Sequence, residues 1–443
     1  MSIAADTRTR MITQLDEWQR QAQGNGFFQR VRSAARERLE VIEFPTIKNE
    51  DWKYTNLSPF FKEAFQFPGK SPLAKNFDLA DKPVFENGYR LVFVNGQYLA
   101  SLSDIPEAPE KVLILPLTDA VLNHQTQVEN ILATVSGKVA DIFSDLATAC
   151  LREGVFINIP RNMQPDKPIH IFFYSSQSET PFFAPVRILI HSESGSEATV
   201  VEHYMGEDAA IYHANPVTQI LMDANARLSH YQLGFESNHA FHISRMAVHQ
   251  RRDSQFSGWN VNFGGRLVRN DIYIKLAESG SRVELNGLSI AQGEQHIDNQ
   301  IFIDHAAPRT SSRENYRNIV DDKGHAVFTG RVLIRQDSQK SDAQQVNKSL
   351  LLSESAQVDT RPQLEIFADD VKASHGATVG QLDDDQIFYL RTRGIGESDA
   401  RQMLTHAFAN EIVNAIPDEA LRNFLDDAVQ QRLGEQKSVK DAE

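Results

Sequence analysis

From about residue 85 the chain breaks into a long series of short β-type runs, and this bounds the possible folds more tightly than any other feature. "YRLVFVNG" comes first, and "GVFINIP", "PIHIFFYSS" and "VRILIHSESGS" follow. Further on the alternation of apolar and polar residues is clean, with Val283 and Leu285 in "RVELNG", Ile301 and Ile303 in "NQIFIDH", and Val332 and Ile334 in "GRVLIRQD". Runs of about 4 to 7 residues, parted by polar or Gly-containing turns over roughly 200 residues, predict a mainly β chain. Such a series can close as a sandwich, a barrel or a solenoid. No fixed repeat period is visible. Asn286, Asn299 and Asn315 are expected near turns, where polar side chains satisfy the backbone at coil corners, and this leans towards a solenoid.

Both flanks read as helical. Residues 7–40 predict two helices parted by "GNG", the second with Phe28, Val31, Ala35 and Leu39 on one face. Pro45 ends that region, and "EFPTIKNEDWKYTNL", with Trp52 and Tyr54, reads as a docking segment. At the other end Leu404, Phe408, Ile412 and Ala415 form a stripe that Ser398 is placed to cap. Beyond Pro417, a second helix carries Leu421, Phe424, Leu425, Val429 and Leu433 on one face. The expected division is an N-terminal helical region with its docking segment at 1–85, a β core at 86–394 and a C-terminal helical module at 395–443.

Composition removes several classes of function. With 443 residues, 41% hydrophobic and 23% charged, the chain can bury a sizeable core. A net charge of −14 without a basic run is unsuited to holding nucleic acid, which needs clustered Lys and Arg. The N-terminus shows no apolar signal core and no stretch reaches 18 consecutive apolar residues, so a soluble chain of cytoplasmic type is expected, with no membrane partner. Cys150 is the single cysteine, which excludes an intrachain disulfide and any thiolate-built metal site supplied by this chain alone. Its apolar context, "DLATACLREGVFINI", predicts a buried structural thiol.

No phosphate-binding loop, dinucleotide fingerprint, H-E-x-x-H, G-x-S-x-G or C-x-x-C occurs. The chain announces no conventional active site, and any ATP dependence must come from a partner. Six of the fourteen histidines, His203, His213, His230, His239, His242 and His249, fall close together in sequence. Neutral imidazole suits zinc, iron or copper, but the spacing fits no single face, and scattered surface or hydrogen-bonded histidines are the expectation. "ENYRNIVDDKGHAVFTGRV" places Asp321, Asp322, Lys323 and His325 at a turn, read as a solvated hairpin with Gly324 at positive φ. Asp383, Asp384 and Asp385 read as a second solvated turn, since the periodic calcium-loop pattern is missing. His375, in "ADDVKASHGATVGQLDDDQ", reads from residues alone as a strand histidine beside acidic turns.

Three long stretches, "KNEDWKYTNL", "APRTSSRENYRNIVDDKGHAVFTGRVLIRQDSQKSDAQQVNKSLLLS" and "PQLEIFADDVKASHGATVGQLDDDQIFYLRTRGI", occur in this order. Together they resemble the SufB/SufD family of iron–sulfur cluster assembly proteins, from about residue 45 to about residue 430. Within the family, "SHGATVG" and "EDWKYTNL" resemble the D-type subunit. The B-type paralogue resembles H-E-A-T-T at this place and carries further cysteines.

The resemblance implies a right-handed parallel β-helix core with helical N- and C-terminal parts. It implies a SufBCD-type complex in which B-type and D-type subunits form a heterodimer through their β-helices, and in which the C-terminal module docks a SufC-type ABC ATPase. A chain without a phosphate loop would borrow ATP hydrolysis, and a chain with one cysteine would borrow thiolates. The histidine of S-H-G-A-T carries over to His375 as a candidate ligand of a nascent iron–sulfur cluster, transient and shared with a cysteine of the partner. Many D-type relatives read K-C-S-H where this chain reads Lys372-Ala373-Ser374-His375, so no thiol stands beside the imidazole here. Asp369 or Asp370 is a candidate to orient its second ring nitrogen. For the ATPase contact, Arg393 and Glu397 are expected at the interface with Phe408 and Ile412, although most of the apolar stripe should be core. The function expected is a non-catalytic scaffold. The rival readings are a standalone homodimeric β-helix binding or structural protein, and a β-helix enzyme acting on polysaccharide through paired carboxylates in a groove.

Overall fold

A computed structural model describes residues 3–22, 26–68, 87–105, 112–135 and 141–440 of the chain. Its strands fall into a ten-stranded and a nine-stranded sheet, and in each sheet the neighbours are alternate strands of the chain. Nearly all pairs are parallel, so the chain winds as a parallel β-solenoid of about eight coils between residues 154 and 380. The solenoid is the outcome among the three closures that the short β runs allowed.

Side chains alternate between the two faces of a strand, so every second residue of each sheet points into the solenoid. Val283, Leu285, Ile301, Ile303, Val332 and Ile334 all lie in one buried core drawn from both sheets, as their alternation predicted. That core is not wholly apolar. Asn270 Nδ2 donates to Asn299 Oδ1 at 3.0 Å and to Asn262 Oδ1 at 3.2 Å, and Asn299 Nδ2 donates to Ser289 Oγ at 3.2 Å. Asn299 is therefore an inward rung in mid-strand, and Asn286 and Asn315 also lie within strands, not at corners. Buried amides hold their place because each finds a partner one coil away.

The corners use a different set of residues. Asn162, Gly195, Asn225, Asp253, Gly280, Arg309 and Lys340 all have φ between 56° and 80°. Backbone N–H groups of this column donate to the next coil, as from Asn225 to Arg252 O and from Lys340 to Asp370 O. At Gly195 a Cβ would stand 2.3 Å from Asn162 Oδ1, so glycine is required there by both conformation and space. The corner at Asp321–His325 joins strands of different sheets and is not a hairpin. Positive φ falls on Asp322, while Gly324 is needed because a Cβ would lie 2.7 Å from Ala291 O of the coil beneath.

Helices cover the outer faces of the middle coils. Ile3–Gln21, Gly26–Arg38 and the short helix Ile142–Ala149 pack Met11, Leu15, Ala35 and Phe143 against Phe183, Phe241, Ile243 and Leu267 of the nine-stranded sheet. The docking segment is used within the chain. Trp52 is buried, stacks on Phe143 at 5.6 Å, and carries the Arg269 guanidinium over its ring at 3.9 Å. Cys150 is buried against the same helices, and burial pushes its thiol well up.

On the ten-stranded sheet, Glu397–Val413 and Glu419–Lys440 fold back and pack Ala409, Ile412, Val413, Leu421, Leu425 and Val429 onto Tyr231, Trp259, Leu288 and Ile319. Gly396, not Ser398, is the residue before the first of these helices, and Ser398 lies inside its first turn. The buried stripe runs through Thr405, Ala409, Ile412 and Ile416; Leu404 and Phe408 flank it, and Ala415 is exposed. No described helix is long and apolar enough to cross a membrane.

Candidate functional site

The two ends of the solenoid differ. Antiparallel strands close the first, where Gln97–Tyr98 pairs with Tyr89–Val94 and Leu113–Pro116 pairs with Gly154–Ile159. At the second end, among the described residues, Gln357–Ile366 and Lys372–Gly380 each have a strand on one side only. An unpaired edge invites another chain, and native proteins protect such edges unless they are used. Here Ile366, Phe367 and Val379 stand exposed at 41%, 64% and 46%.

His375 lies in the middle of Lys372–Gly380 and is exposed. Its Cα partner is Gln345, whose partner in turn is Glu314. In-register residues of a parallel sheet share a face, and Gln345 points inward, since its Nε2 donates to buried Glu314 Oε2 at 3.1 Å. His375 is thus the last rung of an inward column, at the mouth of the solenoid. Ala373, Ala377 and Val379 share its face, and Leu364 and Pro362 pair above the inward Val332 and Gly330 of the facing sheet. An imidazole in such a mouth can offer a nitrogen lone pair to a metal when neutral.

Other candidates lie elsewhere. Asp369 and Asp370 are in the corner before the strand, and among the described residues neither carboxylate hydrogen-bonds the His375 ring. Asp383 caps Asp384–Thr392 by accepting from Asp385 N at 2.9 Å. Among the described residues, no group of three or more His, Cys, Asp or Glu is arranged to hold a metal ion.

Of the six clustered histidines, His203, His213, His230 and His242 are buried and structural. His203 stacks on Phe172 at 4.4 Å, His230 meets Glu202 at 2.9 Å, and His242 meets Glu236 at 3.2 Å. Burial, with His170 alongside, pulls His203 well below the usual imidazole range. His325 meets Asp359 at 2.8 Å. The carboxylates on the outer face of the nine-stranded sheet are likewise engaged. Arg269 pairs with Asp271 at 2.9 Å and with Asp298 at 2.6 Å, and Arg245 pairs with Asp141. A polysaccharide-cleaving pair needs free carboxylates in an open groove, and these are locked to arginines.

In the C-terminal module Ile412 is fully buried and has no surface to offer a partner, and Phe408 lies half-buried under the Arg317 guanidinium at 4.8 Å. Arg393 and Glu397 are exposed, and Glu397 meets Arg391 at 3.2 Å. Phe388, Tyr389 and Met403 are exposed nearby on the same helices, and the stripe pattern of the sequence did not single them out. Glu314 and Gln345 were also missed. They precede His375 by two coils and one coil respectively, a relation visible only once the coil length is known.

Residues 173–408 match the family model described as "SUF system FeS cluster assembly, SufBD core domain", and residues 17–171 match that of the "SufBD protein N-terminal region". An iron–sulfur cluster assembly SufBD family protein of Synechocystis sp. is 32% identical over 406 residues, covering 89% of this chain and 88% of that one. The iron–sulfur cluster assembly protein SufD of Escherichia coli is 33% identical over 392 residues, covering 88% and 89%, and that of Bacillus subtilis is 26% identical, covering 91% and 93%. A core match over more than half its length and relatives aligned nearly end to end show that the chain belongs to the SufB/SufD family of iron–sulfur cluster assembly proteins.

Proposed function

We propose that the chain is a D-type, non-catalytic scaffold subunit of a SufBCD-type complex. In this reading its open solenoid end pairs with a B-type subunit, and its C-terminal helices dock a SufC-type ATPase that supplies nucleotide hydrolysis. The nascent iron–sulfur cluster is cargo held between His375 and a thiolate of the partner, and no cluster resides on this chain alone. The observation that carries the reading is the open end itself, with unpaired strands, exposed apolar side chains and one inward imidazole at the mouth. Edge-to-edge pairing with a second solenoid would cover the apolar groups and bring a partner's thiolate to the imidazole.

For the ATPase, Arg393 and Glu397 with Phe388, Tyr389 and Met403 offer a charged and aromatic surface at the start of the chain's last helical region. Because the following helices pack directly onto the ten-stranded sheet, a push on that surface has a rigid path to the solenoid. The same open edge also suits a second copy of this chain, which is the homodimeric alternative. Co-expression with B-type and C-type partners followed by native mass measurement separates them. The proposal expects a complex containing all three chains, and a chain that stays homodimeric in their presence sinks it.

A further inference from the structure

The column beneath His375 is polar where the inward column around it is mostly apolar. Glu314 is 2% exposed and Gln345 is 1% exposed. Gln345 Nε2 donates to Glu314 Oε2 at 3.1 Å, while Gln345 Oε1 and Glu314 Oε1 are buried with no partner. The amide has room because the facing residue is Gly330, where a Cβ would stand 1.8 Å from Gln345 Nε2. One strand further, about 4.8 Å on, His375 occupies the next inward place. An unpaired buried acceptor costs about 1–3 kcal/mol, so this arrangement persists only if something rewards it. The next side chain in register above Gln345 Oε1 is His375, whose ring carries an N–H group able to donate.

The surroundings of Glu314 hold one titratable group. Leu285 lies beneath it in register, Gln345 above it, and Tyr316, packed on Phe328, two places along its own strand. Burial raises the Glu314 carboxyl to about 7, against which the Gln345 hydrogen bond works. Burial, and then the charge of Glu314, raises the Tyr316 phenol well out of the physiological range. Glu314 therefore changes charge near neutral pH while its neighbours do not.

We propose that Glu314, acting through the Gln345 amide, sets which ring nitrogen of His375 carries the proton and so which one is free to bind a metal. The proposal rests on the reading of His375 as a ligand only for its consequence, not for its test. With Glu314 ionised, Gln345 must donate to it, and its Oε1 turns up the column to accept a ring N–H. The opposite ring nitrogen then keeps its lone pair towards the mouth. With Glu314 protonated, its O–H donates to Gln345 Oε1 once the amide has rotated, and Nε2 turns to the ring. That donor takes the inner lone pair, and the outer nitrogen bears the proton and cannot ligate. The carboxylate takes one proton from solvent, and the ring exchanges one proton for another and keeps its charge. Glu314 and Gln345 are positioning residues in this scheme, for neither reaches the metal.

The test is ring ¹⁵N NMR of His375 in the full chain without metal, between pH 6.5 and 8.5, with a His375→Ala chain to assign the signal. Wild type should shift the tautomer ratio of the neutral ring at least threefold across this window. Glu314→Gln, which keeps shape and removes the charge change, should abolish the shift, and Gln345→Met should leave the ring at its intrinsic tautomer ratio, unchanged across the window. A Glu314→Gln profile that follows wild type overturns the proposal, as does a Gln345→Met ring with the wild-type ratio. Iron and acid-labile sulfide loading of the assembled complex, wild type against His375→Ala, then judges the ligand role separately: equal loading would sink that role and leave the tautomer result standing.

Discussion

His213 provides a sharp test of the structural assignment of the clustered histidines. It opens the strand Tyr212–Met222, is 0% exposed, and packs its ring on Phe183 at 4.9 Å and against Phe60 at 5.0 Å, with Phe65 and Phe143 beyond. Neither ring nitrogen has a hydrogen-bond partner. Burial, with the nearby His242 adding to it, lowers the imidazole from 6.5 to about 3. The folded-state value lies below the unfolded one, so the contribution is fully present above pH 6.5. Below that, the unfolded chain takes up a proton that the folded chain refuses, and stability falls at about 1.4 kcal/mol per pH unit until the folded value is reached. At pH 5 the loss from this residue is about 2 kcal/mol. His213→Phe keeps an aromatic ring in an aromatic pocket and removes the proton. Urea unfolding of both chains at pH 7.5 and pH 5 should find the variant gaining about 2 kcal/mol relative to wild type on going to the lower pH, since the other buried histidines contribute equally to both. A difference that does not change with pH would show that the imidazole is hydrated or paired, and would refute the burial argument.

Three further outcomes follow from the same geometry. Arg269→Met leaves the buried Asp298 without its cation, leaves Asp271 with Arg245 alone, and takes the guanidinium from Trp52; urea unfolding should show a loss of about 3–5 kcal/mol, and a loss under 1 kcal/mol would contradict the clamp. Burial alone would raise the Asp271 carboxyl, but Arg269 and Arg245 hold it below the usual range, so part of that loss should ease as pH falls towards 4 and the stranded carboxylates take up protons. Val379→Asp places a charge on the exposed open edge and should weaken association with a B-type partner at least tenfold in a pull-down titration, with the thermal midpoint of the isolated chain within about 2 °C of wild type. Ile412→Ala opens a cavity between the C-terminal helices and the sheet and should cost about 2–5 kcal/mol, read as faster proteolysis of the last helices.

Much of this architecture could be read from residues, and the parts that could not have physical reasons. The inward apolar residues declared themselves by period-two alternation, and the helices at both ends by their faces. The coil repeat stayed hidden because its length drifts. Leu267, His296 and His325 are successive partners at steps of 29 residues, but the next, to Gln357, is 32. The corner column drifts in type as well, from Asn and Gly to Asp, Arg and Lys, because a left-handed corner needs a conformation and not one side chain. Asn299 was assigned to a corner for the same reason: an asparagine that satisfies backbone at a turn and one that satisfies another amide inside a solenoid have the same local sequence. Trp52 seemed free for a partner because its true partners, Phe143 and Arg269, lie far along the chain. At the candidate site, the family resemblance brought His375 forward, while Glu314 and Gln345 gained meaning only from register.

The most direct test of the central claim is iron and acid-labile sulfide loading of the assembled three-chain complex, comparing wild type with His375→Ala. The account predicts normal assembly with cluster content reduced at least fivefold in the variant. Equal loading in a correctly assembled complex would contradict it.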